Sequence, residues 1–195
     1  MEEIRKEQVI NGAIRCIIKK GFNQVSVKDI AAEAGVSTGI IYHYFRNKND
    51  LLVQVLKYSF RKSHEQAMET VEKIRPFEEK LLKHIENINF VPKENPDFYS
   101  ILLNFLGQVK YNQAVEEVTQ KFMRNLRLYV DRILEVGVKQ GYIKGDHLEC
   151  LSAIIIGLGM GLGIQWTIDK KAFSIDQISE IFKEMVLNYI YKQTN

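Results

Sequence analysis

The chain has 195 residues, 46% of them hydrophobic, with 3 prolines and a net charge of +3; it can bury a core and is not a disordered chain. The charge is uneven: residues 1–62 carry 11 Lys and Arg against 6 Asp and Glu, and the remainder carries 16 against 18. A polyanion partner is therefore expected only for the N-terminal part, and with Glu2, Glu3 and Glu7 interrupting the start no targeting leader is read there.

A first helix is predicted over residues 3–20, with Ile10, Ala13, Ile14, Ile17 and Ile18 as its apolar stripe, Gly21 as its stop and Phe22 folding back. Ser26 caps a second helix in which Val27, Ile30, Ala31 and Ala34 share one side. Small Ala31 permits a close helix crossing. Gly35 supplies the left-handed residue that ends this helix, Val36 plugs the corner, and Ser37 caps a third helix running to about residue 45. Ile41 and Tyr44 or Phe45 point inward along it, which leaves Thr38, Gly39, Tyr42 and His43 outward. Two short helices around a glycine turn, the second with hydrogen-bonding tips outward, form a helix-turn-helix whose second helix enters the DNA major groove. A plain helical hairpin would need only the turn, and not this outward set.

Asn47 caps a fourth helix, Asp50 answers it, and Lys48 stands in the first turn, where exposed amides already favour a phosphate. Leu51, Leu52, Val55, Leu56 and Phe60 carry this helix to about residue 73, as a link to the C-terminal region.

Residues 10–60 resemble the N-terminal domain of the TetR family of bacterial transcriptional regulators. The resemblance is carried by Gly21-Phe22, by Val27-Lys28-Asp29-Ile30-Ala31, by the run AGVSTGIIYHYFRNK over 34–48, and by Leu51-Leu52. It implies DNA contacts from Lys28, Thr38, Gly39, Tyr42, His43, Tyr44 and Lys48. Ile40 departs from the small or hydroxyl residue the family more often carries; an isoleucine there could touch a thymine methyl.

Beyond Pro76, helices are predicted over 77–90, from Asp97 to about 109, from about 113 to 140 with Gly141 as the stop, from a cap at Asp146 to about 168, and from a Ser174/Gln177 capping box to about 192. Residues 89–97, with Pro92 and Pro96, read as a loop. No segment alternates with period two for long, so the fold is all-α. It comprises about nine helices, a helix-turn-helix domain over 1–46 and a larger ligand-binding and dimerisation domain over 47–195.

Gly157, Gly159, Gly161 and Gly163 lie in a helix without the strand that a phosphate-binding loop requires. They suit either close approach at a subunit interface, which is favoured, or a bent helix lining a cavity. In TetR-like proteins the last two helices commonly pair with their copies as a four-helix bundle, and Leu158, Leu162, Ile178, Phe182 and Met185 would line it. Residues 153–164 are too short for the ~20 residues of a membrane span, so a cytoplasmic protein with no membrane partner is expected. Cys16 and Cys150 are expected as reduced core thiols.

His43, His64, His84 and His147 are taken as having no second metal-ligand type at i+3 or i+4, and no metal or cofactor is expected. Adjacent pairs such as Glu78-Glu79 diverge on a helix, and no nucleophile or phosphate-loop motif appears, so no catalytic residue and no enzyme is expected. The resemblance implies an effector cavity among the middle helices, with His64, Phe98, Phe105, Met123, Met160 and Trp166 as candidate lining. The expected protein is a ligand-responsive regulator, specifically a repressor that binds a palindromic operator in double-stranded DNA as a homodimer. A small apolar, amphipathic or acyl-bearing effector would release it. The alternative is a small-molecule-binding signalling module that does not act through DNA.

Overall fold

The computed structural model describes residues 2–194. Among the described residues there are nine α-helices and no strand: α1 Glu2–Lys20, α2 Val27–Ala34, α3 Thr38–Tyr44, α4 Lys48–Glu69, α5 Phe77–Glu94, α6 Pro96–Leu106, α7 Gln113–Lys139, α8 Leu148–Ile168 and α9 Ile175–Thr194. By packing they divide into two compact units, residues 1–62 with 97–120 and residues 63–96 with 121–195. The 46 residues expected to form the helix-turn-helix domain all lie in the first.

The first unit is built around α1, which buries Val9, Ile10, Ala13, Ile14 and Ile17. In the same unit Ile30 and Ala34 of α2, Ile41 of α3, Phe45, and Leu51, Leu52, Val55 and Leu56 of α4 are all buried. Helices α1 and α2 approach closely at Gly12: a Cβ there would stand 2.7 Å from the Cβ of Ala34. This close approach is a different one from the α2–α3 crossing assigned to Ala31, which is buried. The unit also takes in α6. The Phe22 N–H donates to Asn104 Oδ1 at 3.1 Å, the Phe22 and Phe105 rings meet edge to face at 4.9 Å, and Asn112 Nδ2 donates to Asn49 Oδ1.

The second unit is centred on α5, which packs on α8 and α9. Leu81, His84, Ile85, Ile88, Asn89 and Pro92 form its buried side, at helical spacing. The loop expected over 89–97 is corrected accordingly: α5 continues to Glu94 with Pro92 inside it. Proline removes one N–H and crowds the preceding turn, but Pro92 lies in the last turn and extends the buried stripe. The chain breaks at Asn95, and Pro96 rather than Asp97 opens α6, the position where a missing N–H costs nothing. At α8 the cap is His147, not Asp146; it is left-handed with φ 62° and caps with no side-chain bond.

The four glycines of α8 do not act alike. Gly159 faces Ile88 so closely that a Cβ would lie 2.2 Å from its Cγ2, whereas Gly157 and Gly161 have nothing within 4 Å. Taken whole, α8 has 21 residues and is long and apolar enough to cross a membrane by length and composition, which the shorter run 153–164 concealed. In the structure it places Leu151, Ser152, Ile155, Ile156, Gly159 and Gly163 in the interior and leaves Ile154, Leu158 and Ile168 exposed. Gly159→Ala should cost about 1–3 kcal/mol by overpacking, and Gly107→Ala, where a Cβ likewise meets nothing within 4 Å, should cost nothing measurable, a contrast that urea unfolding of the two variants will read.

Candidate nucleic-acid interface and effector half

Local chemistry fixes the helix-turn-helix. Ser26 Oγ accepts from the Asp29 N–H at 3.1 Å, and Asp29 Oδ2 accepts from the Ser26 N–H at 2.9 Å, a closed capping box. Lys20 Nζ donates to the other Asp29 oxygen at 2.7 Å, so Lys20 first and Ser26 second hold this carboxyl well below the usual carboxylate range. Gly35 sits at φ 65°, its N–H donating to Ala32 O at 3.2 Å while the Val36 N–H donates to Ala31 O at 3.0 Å. This pair of bonds is a Schellman closure, available to glycine without Cβ strain.

The third helix is started by Ser37, whose Oγ accepts from the Ile40 N–H at 3.3 Å. Within α3 only Ile41 is fully buried, and Phe45 beyond its end is 2% exposed. Tyr42 is 56% exposed; Gly39 and His43 are exposed, and Thr38, Ile40 and Tyr44 half-buried. The His43 and Tyr44 rings meet edge to face at 5.0 Å. Asn47 Oδ1 accepts from the Asp50 N–H at 2.9 Å, but Asp50 answers Arg46, whose N–H it accepts at 3.0 Å, rather than Asn47. Lys48 opens α4, half-buried, and Lys28 is exposed on α2. The α2 to α4 segment thus presents hydroxyl, imidazole and ammonium groups on a frame fixed by caps. Between α1 and α4 a groove of about 530 Å³ is lined by Lys6, Lys57 and Arg61 together with Glu3, Glu7 and Tyr58.

The six candidate effector residues divide between the two units. Phe98 and Phe105 are buried in the first unit, Phe98 beside Phe60 and Tyr99, and Phe105 on Phe22. His64, Met123, Met160 and Trp166 belong to the second unit and are half-buried. His64 stands edge-on to Tyr129 at 5.9 Å, and Lys170 Nζ lies 5.3 Å over the Trp166 ring. A cleft of about 130 Å³ opens between α4 and α5, lined among others by Ser63, Ala67, Thr70, Lys83 and Asn87. Sequence reasoning missed His84, which is buried on α5 with its ring 5.0 Å from that of Tyr129. A polar residue inside an otherwise apolar helical stripe was the available signal.

Outward on α8 and α9 lie Ile154, Leu158, Ile181, Met185 and Tyr189, with Leu162 and Ile178 half-buried. Phe182, expected on the same face, is corrected: it is buried in the core of its own unit, one residue round the helix from exposed Ile181. Cys150 is likewise exposed rather than buried, while Cys16 is buried. Cys150 is also the i+3 partner of His147 that was overlooked; with Glu149 their ligand atoms lie within 4.8 Å of one another, all exposed. They sit on the first turn of α8, where the helix amides favour anions over cations.

Residues 9–55 match the family model for bacterial regulatory proteins of the tetR family, and residues 77–190 match that for the C-terminal region of BetI-type transcriptional repressors. The chain is 27% identical over 195 residues, 95% of each chain, to the fatty acid metabolism regulator protein of Bacillus subtilis. In fold it is similar to a transcriptional regulator FadR from Bacillus subtilis in complex with stearoyl-CoA, at TM-score 0.79 and 24% identity, covering 93% of this chain and 97% of that one. It is similar also to a transcriptional regulator from Saccharomonospora viridis in complex with choline, at TM-score 0.83 and 22% identity, covering 95% and 96%. These matches give no support to a signalling module that works without DNA. Two variants probe the frame: Ser26→Ala and Gly35→Ala should each lower stability by about 1 kcal/mol, through a lost cap and a strained left-handed alanine, as midpoint shifts in urea unfolding.

Proposed function

Because the chain belongs to the TetR family of bacterial transcriptional regulators, with a C-terminal region of the BetI type, we propose a specific division of labour for this ligand-responsive DNA-binding protein. The observation that carries it is the exposed set on α3 and its flanks, held by Ser37, Ile41 and Phe45. Thr38, Gly39, Tyr42 and His43 approach the major groove. Lys28, Tyr44 and Lys48 hold the backbone, Lys48 with the free amides of the α4 N-terminus behind it. Lys28 and Lys48 each neutralise a phosphate, so affinity falls with salt.

Two copies act together as a cytoplasmic homodimer on a palindromic operator, since one short recognition helix makes too few base contacts for specific binding. The apolar outer face of α8 and α9 is the surface we assign to the pairing. Gly157 and Gly161 of α8, where an added Cβ would meet no atom of this chain, would let the facing helices approach closely. The second unit receives a small apolar or amphipathic effector, and repression is relieved when that effector binds the DNA-incompetent state more tightly. Two ligand classes come from the relatives, acyl-CoA and choline.

Retention of genomic DNA fragments on the immobilised protein tests the DNA face. Tyr42→Ala and Lys48→Ala together should abolish retention with the melting temperature almost unchanged, and Lys48→Ala alone should weaken it and reduce the slope of log affinity against log salt by about 1. Unaltered retention by the double variant would remove the assignment. At the pairing face, Met185→Asp combined with Leu158→Asp should convert a dimer to a monomer in light scattering.

A further inference from the structure

The second unit contains polar side chains that its fold leaves without partners. His84 is 2% exposed, and neither ring nitrogen is hydrogen-bonded. The Tyr129 hydroxyl is also buried and has no partner at ordinary hydrogen-bond distance and angle, although the Glu72 carboxylate is near enough to act on it both as a charge and as a weak acceptor. A buried donor or acceptor left unmade costs about 1–3 kcal/mol, and here two neighbouring side chains carry that cost.

Their protonation states define what could satisfy them. Burial, with the neighbouring His64 adding to it, lowers the His84 pKa to about 3, so the imidazole is neutral and offers one N–H and one lone pair. Burial raises the Tyr129 pKa, so its hydroxyl keeps its proton. The surrounding core is aliphatic: Leu81, Ile85 and Ile88 from α5, Val130 and Ile133 from α7. Among the described residues none of the buried polar side chains is charged. An ion taken into this interior would have no buried countercharge. A quaternary ammonium would be attracted by the faces of the His84 and Tyr129 rings, but with neither a polar hydrogen nor a lone pair it would leave the His84 nitrogens and the Tyr129 hydroxyl unpaired. An uncharged acceptor on an apolar chain pairs both donors, the imidazole N–H and the phenol O–H, and leaves only the imidazole lone pair open.

We propose that His84 and Tyr129 recognise the carbonyl oxygen of a long-chain acyl ester, thioester or amide, the imidazole N–H and the phenol O–H donating to it while the aliphatic side chains take the acyl chain. This rests on the second unit being the effector domain. Entry is by the α4–α5 seam, where the cleft is lined by Ser63, Ala67, Lys83 and Asn87, the helical neighbours of His64 and His84. At about 130 Å³ that cleft is too small for the chain, so binding parts α4 from α5. Charged groups on the ligand stay outside.

Calorimetric titration of the full chain with palmitoyl-coenzyme A, with the thioether analogue in which CH₂ replaces the carbonyl, and with choline tests this. The wild type should bind the thioester roughly ten- to a hundredfold tighter than the thioether. In His84→Phe and in Tyr129→Phe that preference should collapse towards equality, with thioether binding retained. Tyr129→Phe removes one buried oxygen that has no partner of ordinary hydrogen-bond geometry, so without ligand it should melt close to the wild type, which keeps the test open if His84→Phe does not fold. Equal affinity for thioester and thioether in the wild type would overturn the carbonyl contact yet leave the apolar effector standing. Preference for choline, or a preference undiminished in both variants, would overturn it too. Binding of neither acyl compound by a protein that still retains DNA would remove the apolar effector as well.

Discussion

A seven-residue helix cannot hold its own shape in water, because nucleation is costly and short helices are marginal without tertiary support. α3 is such a helix, and the DNA face depends on it. Its direction is set by the left-handed Gly35 on one side and by buried Phe45 on the other, with Ile41 the single side chain anchoring its middle. Everything else in the first unit serves to make those three positions rigid. The Gly12–Ala34 contact brings α2 against α1, the Ser26–Asp29–Lys20 set fixes the start of α2, and Asn47 starts α4 immediately after the turn. The frame is rigid through geometry more than through ion pairs. Arg15 and Lys19 pair with Glu33, but on an exposed surface such pairs contribute little.

The first unit closes on α6 through Phe22, Asn104 and Phe105, and on the segment after it through Asn49 and Asn112. The turn after α1 is thus held by side chains some eighty residues away. Phe105, a candidate for the effector cavity by composition, is used to pack the DNA-binding unit. Helices α4 and α7 each contribute residues to both units; a shift of either helix along its length is therefore felt by two cores.

What could be read from the sequence was whatever depended on neighbours in the chain. The caps at Ser26, Ser37 and Asn47, the stops at Gly21, Gly35 and Gly141, and the helical stripes need only local spacing, and the helices and the turn they predict are found. Pro92 misled because proline usually breaks a helix; only the burial of the α5 stripe shows why this one is tolerated. Phe182 and Ile181 are adjacent, and which of them faces out is decided by the packing of α9 on α5, which no spacing in α9 states. Gly159 and Gly161 look alike in sequence and differ by the presence of Ile88. His84 was passed over because a single histidine carries no periodic signal. Its meaning lies in the bonds it does not make, which are properties of three-dimensional packing.

The charge of the DNA-binding unit has a kinetic consequence. Residues 1–62 with 97–120 carry 12 Lys and Arg against 9 Asp and Glu, a net +3, and residues 63–96 with 121–195 carry 15 against 15, a net zero. The whole positive excess therefore lies in the unit that holds the reading helix, and the phosphate field of DNA draws that unit while exerting no net pull on the other. The attraction acts within a Debye length, ~8 Å at physiological ionic strength. Its benefit is therefore realised in the last steps of approach and in one-dimensional sliding along the duplex.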